Sequence, residues 1–313
     1  MLIFEDLGLL FFTALILSLL LTPMSISFAQ YIGAIDLPVD RSVHTQAMPR
    51  MGGLGMAISA VIALTLFVEF DKVLLGFLAG VAVIVVTGVL DDLYQISPAQ
   101  KMGGQIVACV VFLLLSGLSL NSFGDLFGLG AFQFSGWFSF FITLFCMLGI
   151  INAFNLSDGL DGLAAGLTII AAIFMSILAL YAKNWLSLAI ILSLLGGVFG
   201  FLKFNTHPAK LFMGDTGSLT LGFFMAALMV YLIDFESDFM PSPITLAIIL
   251  IIPISDTLWV MTRRIFQGKS PVSPDKTHLH HRLLDLGLPH SAVVTFIYVI
   301  AFSFGMLSHH KTK

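Results

Sequence analysis

Charge is what this sequence has least of. Aspartate, glutamate, lysine and arginine make up 10% of its 313 residues, against 58% hydrophobic residues. A soluble domain carries about 25% charged residues. The shortage excludes an ordinary soluble domain and points to an integral membrane protein, a single unit over residues 1–313 organised by its hydrophobic spans. Cysteine is nearly absent. Cys109 and Cys146 both fall inside apolar runs, where they read as small hydrophobes and say nothing about redox compartment. A basic leader is missing as well: the N-terminal MLIFEDLGLLFF is acidic. Its apolar run is too long for a signal-peptide core and reads as a first membrane helix that stays. No internal repeat and no low-complexity tail is visible, which leaves an inverted-repeat transporter without support.

What the chain does have is a succession of apolar runs near the roughly 20 residues a helix needs to cross a bilayer. They lie at about 7–30, 52–70, 73–90, 102–120, 136–153, 163–181, 185–202, 217–234, 241–260 and 291–308. Backbone groups in lipid must be satisfied within each span, so the expected fold class is all-α, polytopic, with about ten transmembrane helices. Gly162/Gly166 and Gly196/Gly200 have GxxxG spacing, which lets helices approach closely; glycines scattered by composition are the plainer alternative. Alternation of ten spans puts loops 31–51, 91–101, 154–162, 203–216 and 261–290 on one side. That side holds ten of the fourteen basic residues. Positive charge marks the cytoplasmic side, which would leave both termini extracytoplasmic. The same side holds Asp91, Asp92, Asp158, Asp161, Asp215, Asp256 and six of the eight histidines, so any chemistry is expected there.

Four segments carry that chemistry. GVLDDLYQISP (88–98) sets Asp91 and Asp92 side by side where the third span emerges. Neighbours on a helix point about 100° apart, so the two cannot clamp one ion as a simple pair; a solvated helix end is the bland alternative. NAFNLSDGLDGLAAG (152–166) spaces Asn155, Asp158 and Asp161 three apart, one drifting face if the stretch is helical. Gly159 and Gly162 break the helix or admit another backbone, and the apolar run from Leu163 rules out an EF-hand. KFNTHPAKLFMGDTGSLTLGF (203–223) offers Asp215, hydroxyls and free N–H groups at the start of a helix, a setting that suits a phosphate with its Mg²⁺. Phe212 could stack on a base, while Thr216 or Ser218 could simply be the N-cap. SPDKTHLHHRL (273–283) gathers His278, His280 and His281 beside Lys276 and Arg282. No cysteine accompanies them, so a donor-rich loop for an anionic substrate fits better than zinc. His44 and Arg50, ahead of a glycine pair, are weaker candidates of the same kind. Together, on one face, these segments read as a Mg²⁺-assisted diphosphate site whose second substrate comes from the membrane.

The segments taken together resemble the polyprenyl-phosphate N-acetylhexosamine-1-phosphate transferases, of glycosyltransferase family 4 type, from about residue 33 to 288. The resemblance rests on R-x-x-H-x-x-x-x-P-x-x-G-G (Arg41 to Gly53), LDD (90–92), NAFNLSDGLDGLAAG, KLFMGDTGS (210–218) and SPDKTHLHHRLLDLG (273–287). Leu279 interrupts the histidines, a form similar to the branch that uses UDP-N-acetylglucosamine. It implies transfer of a sugar 1-phosphate from a UDP-N-acetylhexosamine to undecaprenyl phosphate, with release of UMP, in a bacterial inner membrane with the site facing the cytoplasm. Such an enzyme would start a lipid-linked cell-envelope polysaccharide, such as O-antigen. The cofactor implied is Mg²⁺, with Mn²⁺ as the alternate ion; no nucleic-acid partner is expected, and a homodimer is the prior. Asp215, assisted by Asp92, is implied as the metal ligand. Asp91 is implied as acceptor of a proton from the lipid phosphate, or only as an orienting group, since a phosphate with second pKa about 6 is already mostly dianionic. Asn155, Asp158, Asn205 and Phe212 fall to the uridine diphosphate. His278, His280 and His281, with Arg50 or His44, fall to phosphate or sugar, and Asp161 belongs to the same substrate loop or only shapes it. Direct displacement and a covalent aspartyl intermediate both stay open here. The main rival, an ion-coupled transporter, requires acids at mid-span; here they cluster at one end.

Overall fold

The structure, a computed structural model, describes residues 4–36, 47–124, 130–237, 239, 241–268 and 278–310. Its helices run in the order α1 (Phe4–Ile32), α2 (Gly52–Phe67), α3 (Lys72–Tyr94), α4 (Pro98–Ser116), α5 (Gly136–Ser157), α6 (Leu163–Tyr181), α7 (Trp185–Asn205), α8 (Gly214–Asp234), α9 (Pro243–Ile249), α10 (Ile251–Phe266), α11 (Leu279–Asp285) and α12 (His290–His310). One two-residue ribbon breaks the all-α pattern: β1 (Ile35–Asp36) pairs antiparallel with β2 (Met48–Pro49) between α1 and α2. Eight of the helices are long and apolar enough to cross a membrane.

Two of the roughly ten expected spans take another form. The second, α2, stops at Phe67 because Val68 turns extended; its 16 residues reach about 24 Å, short of a full span. The ninth is a bent pair, α9 and α10, meeting at 82°. Pro253 supplies the reason, because it has no N–H for the carbonyl of Ile249 and its ring crowds that carbonyl. The first helix ends at Ile249, and Leu250 takes the turn. Two boundaries move for local reasons as well. The fourth span begins at Pro98 rather than 102, because Ser97 and Gln100 form a capping box with proline in the first turn. The third runs on to Tyr94 and ends with Gln95 in the left-handed region, so Asp91 and Asp92 belong to a helix and not to a loop.

The long helices are similar in apolarity, yet one of them is the centre. In α8, residues Thr216 to Leu232 are all buried, with α2, α3, α5, α6, α7 and α9 packed around it. Aromatic edges lock α3 and α4 against it: Phe77 meets Phe224 at 4.7 Å and 84°, and Phe112 meets Phe223 at 6.0 Å and 79°. Both GxxxG spacings are close approaches. A Cβ at Gly196 would fall 2.4 Å from the Phe11 carbonyl oxygen of α1. One at Gly166 would fall 2.0 Å from the Tyr298 ring of α12, whose hydroxyl donates to the Gly162 carbonyl at 2.6 Å. This packing brings the α3–α4 turn, the α5–α6 turn, the 206–213 segment, α11 and the start of α12 to one end of the bundle.

Candidate active site

The rotation between adjacent helical residues decides what the two aspartates of α3 do. Asp91 turns toward α4, where Lys101 lies in the first turn; Lys101 Nζ is 3.0 Å from Asp91 Oδ2 and also pairs closely with Asp215 Oδ1. Asn155, in the last turn of α5, donates from Nδ2 to Asp215 Oδ1 at 2.5 Å and to Ser218 Oγ at 2.8 Å. One carboxylate oxygen of Asp215 therefore receives both the ammonium and the amide. Asp215 keeps about a quarter of its side chain exposed, so this group remains open to an approaching molecule.

Asp92 turns the other way. Its Oδ1 accepts the Asp215 N–H at 2.8 Å, and its Oδ2 accepts the Thr216 N–H at 3.0 Å and the Thr216 hydroxyl at 2.6 Å. The N–H groups expected to meet a phosphate at the start of α8 are thus taken by a carboxylate from α3, and Asp92 is an N-terminal cap supplied by another helix. Gly214 makes the contact feasible, since its φ is +71° and a Cβ there would lie 2.6 Å from Asp92 Oδ2. Asp92→Ala leaves three donors without their acceptor. The expected cost is about 2–4 kcal/mol, read as a lower melting temperature of the detergent-purified protein, with Asp92→Asn intermediate. An unchanged melt for the alanine variant contradicts the cap.

The 158–162 turn is shaped from three directions. Asp158 is the C-cap residue of α5. Burial first, then the charges of Asp215, Asp92 and Asp161, push its carboxyl up to about 8, with Arg50 pulling the other way. The His280 ring of α11 lies on Gly159, where a Cβ would meet it at 2.2 Å. Burial, then His281 and His278, push the His280 imidazole down to about 3, so this ring is neutral. Asp161 points away from Asp215. Its Oδ2 lies 2.8 Å from His207 Nδ1 and accepts the Ala209 N–H at 3.1 Å, and its own N–H donates to His290 Nε2 at 3.2 Å. Asn205 closes the turn from inside, accepting the Gly162 N–H at 2.9 Å and donating to the Leu211 carbonyl at 2.9 Å. Asp161, His207 and His290 bring three ligand atoms within 4.8 Å of one another. Their two rings stack at 4.0 Å and 15°, so the in-plane lone pairs run side by side instead of converging on one ion.

The remaining expected residues are dispersed. Arg50 pairs with Asp36 at 2.6 Å across the ribbon. Phe212 is tied by its backbone, donating to the Pro49 carbonyl and accepting from Gly52. His278 and His280 are buried, and their rings lie parallel at 5.8 Å, with His281 4.4 Å beyond His280. His44 lies outside the described residues. Two residues that the sequence placed on this side without a role matter most: Lys101, ten residues after Asp91, and Asp256, which bonds His278. A helical hairpin folding Lys101 back on Asp91 is the one signal that could have found the first.

With this geometry in view, comparisons with known proteins agree. Residues 74–233 match the model of glycosyl transferase family 4. A probable undecaprenyl-phosphate N-acetylglucosaminyl 1-phosphate transferase of Bacillus subtilis is 39% identical over 300 residues, 95% of this chain and 82% of the relative. A decaprenyl-phosphate N-acetylglucosaminephosphotransferase of Mycolicibacterium smegmatis is 34% identical, over 94% of this chain and 79% of the relative. An undecaprenyl-phosphate alpha-N-acetylglucosaminyl 1-phosphate transferase of Escherichia coli K12 is 30% identical, over 90% and 78%.

Proposed function

This chain belongs to glycosyl transferase family 4, and from that membership we propose that it transfers N-acetylglucosamine 1-phosphate from UDP-N-acetylglucosamine to undecaprenyl phosphate, releasing UMP. The observation that carries the reading is the gathering of Asp91, Asp92, Asp158 and Asp215 at one end of the bundle, with Lys101 the cation placed between two of them. So much negative charge in a half-closed space calls for further cations. Asp91 and Asp215 form an oxygen donor set, which suits a hard divalent ion. Burial first, and then the neighbouring carboxylates, hold the Asp158 carboxyl above the usual range. Asp215 and Asp91 would hold Mg²⁺, which would supply charge neutralisation for the diphosphate.

The chain's own residues do the rest. A phosphate oxygen of the lipid forms a bond to the sugar-linked phosphorus, and the bond from that phosphorus to the UMP oxygen breaks. Little covalent chemistry falls to the protein in such a step, and positioning and electrostatics dominate. Lys101 supplies the positive charge that meets the developing negative charge. Asn155 fixes the rotamer of Asp215, and Asp92 holds the start of α8 in place. His278 and His281 meet the phosphate or sugar, while neutral His280 braces the 158–162 turn. The ten-to-four distribution of basic residues supports a multi-pass protein in the bacterial plasma membrane with this end in the cytoplasm.

Purified protein given undecaprenyl phosphate, Mg²⁺ and a panel of UDP-sugars is expected to release UMP fastest with UDP-N-acetylglucosamine. Absence of release with every UDP-N-acetylhexosamine ends this reading, and a faster epimer moves the sugar assignment.

A further inference from the structure

We propose that Asp256 is a positioning residue for His278, fixing its tautomer and ring plane so that Nε2 is presented to the phosphate or sugar. The inference rests on the ligand role given above to His278. Asp256 stands on α10, beyond the bend at Leu250, and the 82° turn sets the direction of the helix that carries it. Its two oxygens do different things. Oδ1 accepts the Leu279 N–H at 2.7 Å and caps the start of α11; Oδ2 lies 2.8 Å from His278 Nδ1. A cap alone needs one oxygen, and the second is committed to the ring. Both side chains are nearly closed to water, at 9% and 6% exposure, so the pairing is little diluted by solvent and the ring has few alternatives.

A neutral imidazole has one N–H and one lone pair, and its partner decides which nitrogen has which. A carboxylate at Nδ1 draws the proton there and leaves Nε2 as the nitrogen that meets a ligand. The same contact fixes the ring plane, and with it the direction in which Nε2 faces. Asp256 also removes an oddity, an aspartate in an apolar helix apart from the other acids, by giving it two partners that the sequence separates by more than twenty residues. The parallel His280 ring, 5.8 Å from His278, continues the arrangement to Gly159, so the orientation set by Asp256 reaches the 158–162 turn.

The test is UMP release by Asp256→Asn, Asp256→Glu, His278→Gln and the Asp256→Asn/His278→Gln double variant, each checked for an unchanged melting temperature. Asparagine keeps an oxygen for the Leu279 N–H, but its NH₂ faces His278 Nδ1 and forces the other tautomer. Turnover is expected to fall about 10–100-fold with a smaller change in KM. Glutamate restores a substantial part, and the double variant is no worse than His278→Gln alone. A defect in His278→Gln with normal Asp256→Asn overturns the inference by itself. Equal defects in the asparagine and glutamate variants, or losses that multiply in the double variant, also overturn it. Full activity of His278→Gln overturns both this inference and the ligand role of His278. If Asp256→Asn does not fold, Asp256→Glu decides: full or partial turnover with the melt preserved supports the carboxylate, and none overturns it.

Discussion

Asp215→Asn lowers UMP release by about a thousandfold or more while the protein still folds. The magnitude follows from where Asp215 stands. Its side chain is the meeting point of the Lys101 ammonium and the Asn155 amide, and its backbone opens the most buried helix of the fold. Asparagine has nearly the same shape, and the amide oxygen still accepts from Asn155. The main-chain bond to Asp92 does not involve the side chain, so folding is largely spared. What disappears is one full negative charge from the oxygen set that would hold a divalent ion. For phosphoryl transfer, removing one well-placed charged group costs on the order of 10³–10⁵ in rate. The assay is UMP release at saturating UDP-N-acetylglucosamine, paired with a melting curve. More than a tenth of the normal rate from a folded variant removes Asp215 from the chemistry.

The second large effect belongs to Lys101, and it runs in two directions. Lys101→Met lowers turnover about a hundredfold yet tightens divalent-ion binding about tenfold. The ammonium lies between Asp91 and Asp215, the two carboxylates that would hold a divalent ion. Like charges repel at such short range, so Lys101 and a divalent ion held by these carboxylates would compete, and an ammonium freed from them would be able to reach the substrate's phosphates. Methionine keeps the length and apolar stem of lysine and removes the competition, along with the charge that the reaction needs. Mn²⁺ binding followed by electron paramagnetic resonance separates the two consequences. Unchanged or weaker Mn²⁺ affinity in the variant shows that lysine and metal do not compete, whatever happens to turnover.

That Asp91 and Asp92 serve different points was legible in the sequence, because a rotation of about 100° per residue separates adjacent carboxylates; which does what was not, since Asp92, expected beside the metal, has both oxygens committed to the start of α8. That one faces α4 and the other caps α8 comes from tertiary packing. Asn155, Asp158 and Asp161 share a face only while the helix lasts. It ends at Ser157, and the three then take separate partners. Asn205 and Phe212 stand in a motif that reads as substrate contacts, but the bonds found for them tie the 158–162 turn and the ribbon to the segment that leads into α8. The spans were legible from apolarity, which says how long a helix is but not how deep it lies. Nothing in composition singles out α8, which is less apolar than most of its neighbours. The bend at Leu250 was written in Pro253, which a reading by mean apolarity passes over.

Asp92 has one further consequence, for anything meant to bind here in the substrate's place. The positive pole of α8 is neutralised from within the protein at Asp215 and Thr216, so a diphosphate mimic gains no amide donors from those two residues. It must recruit a metal ion or Lys101 to be held. A competitor carrying its own ammonium group would have to displace Lys101 from between Asp91 and Asp215, and would bind best when divalent ions are scarce.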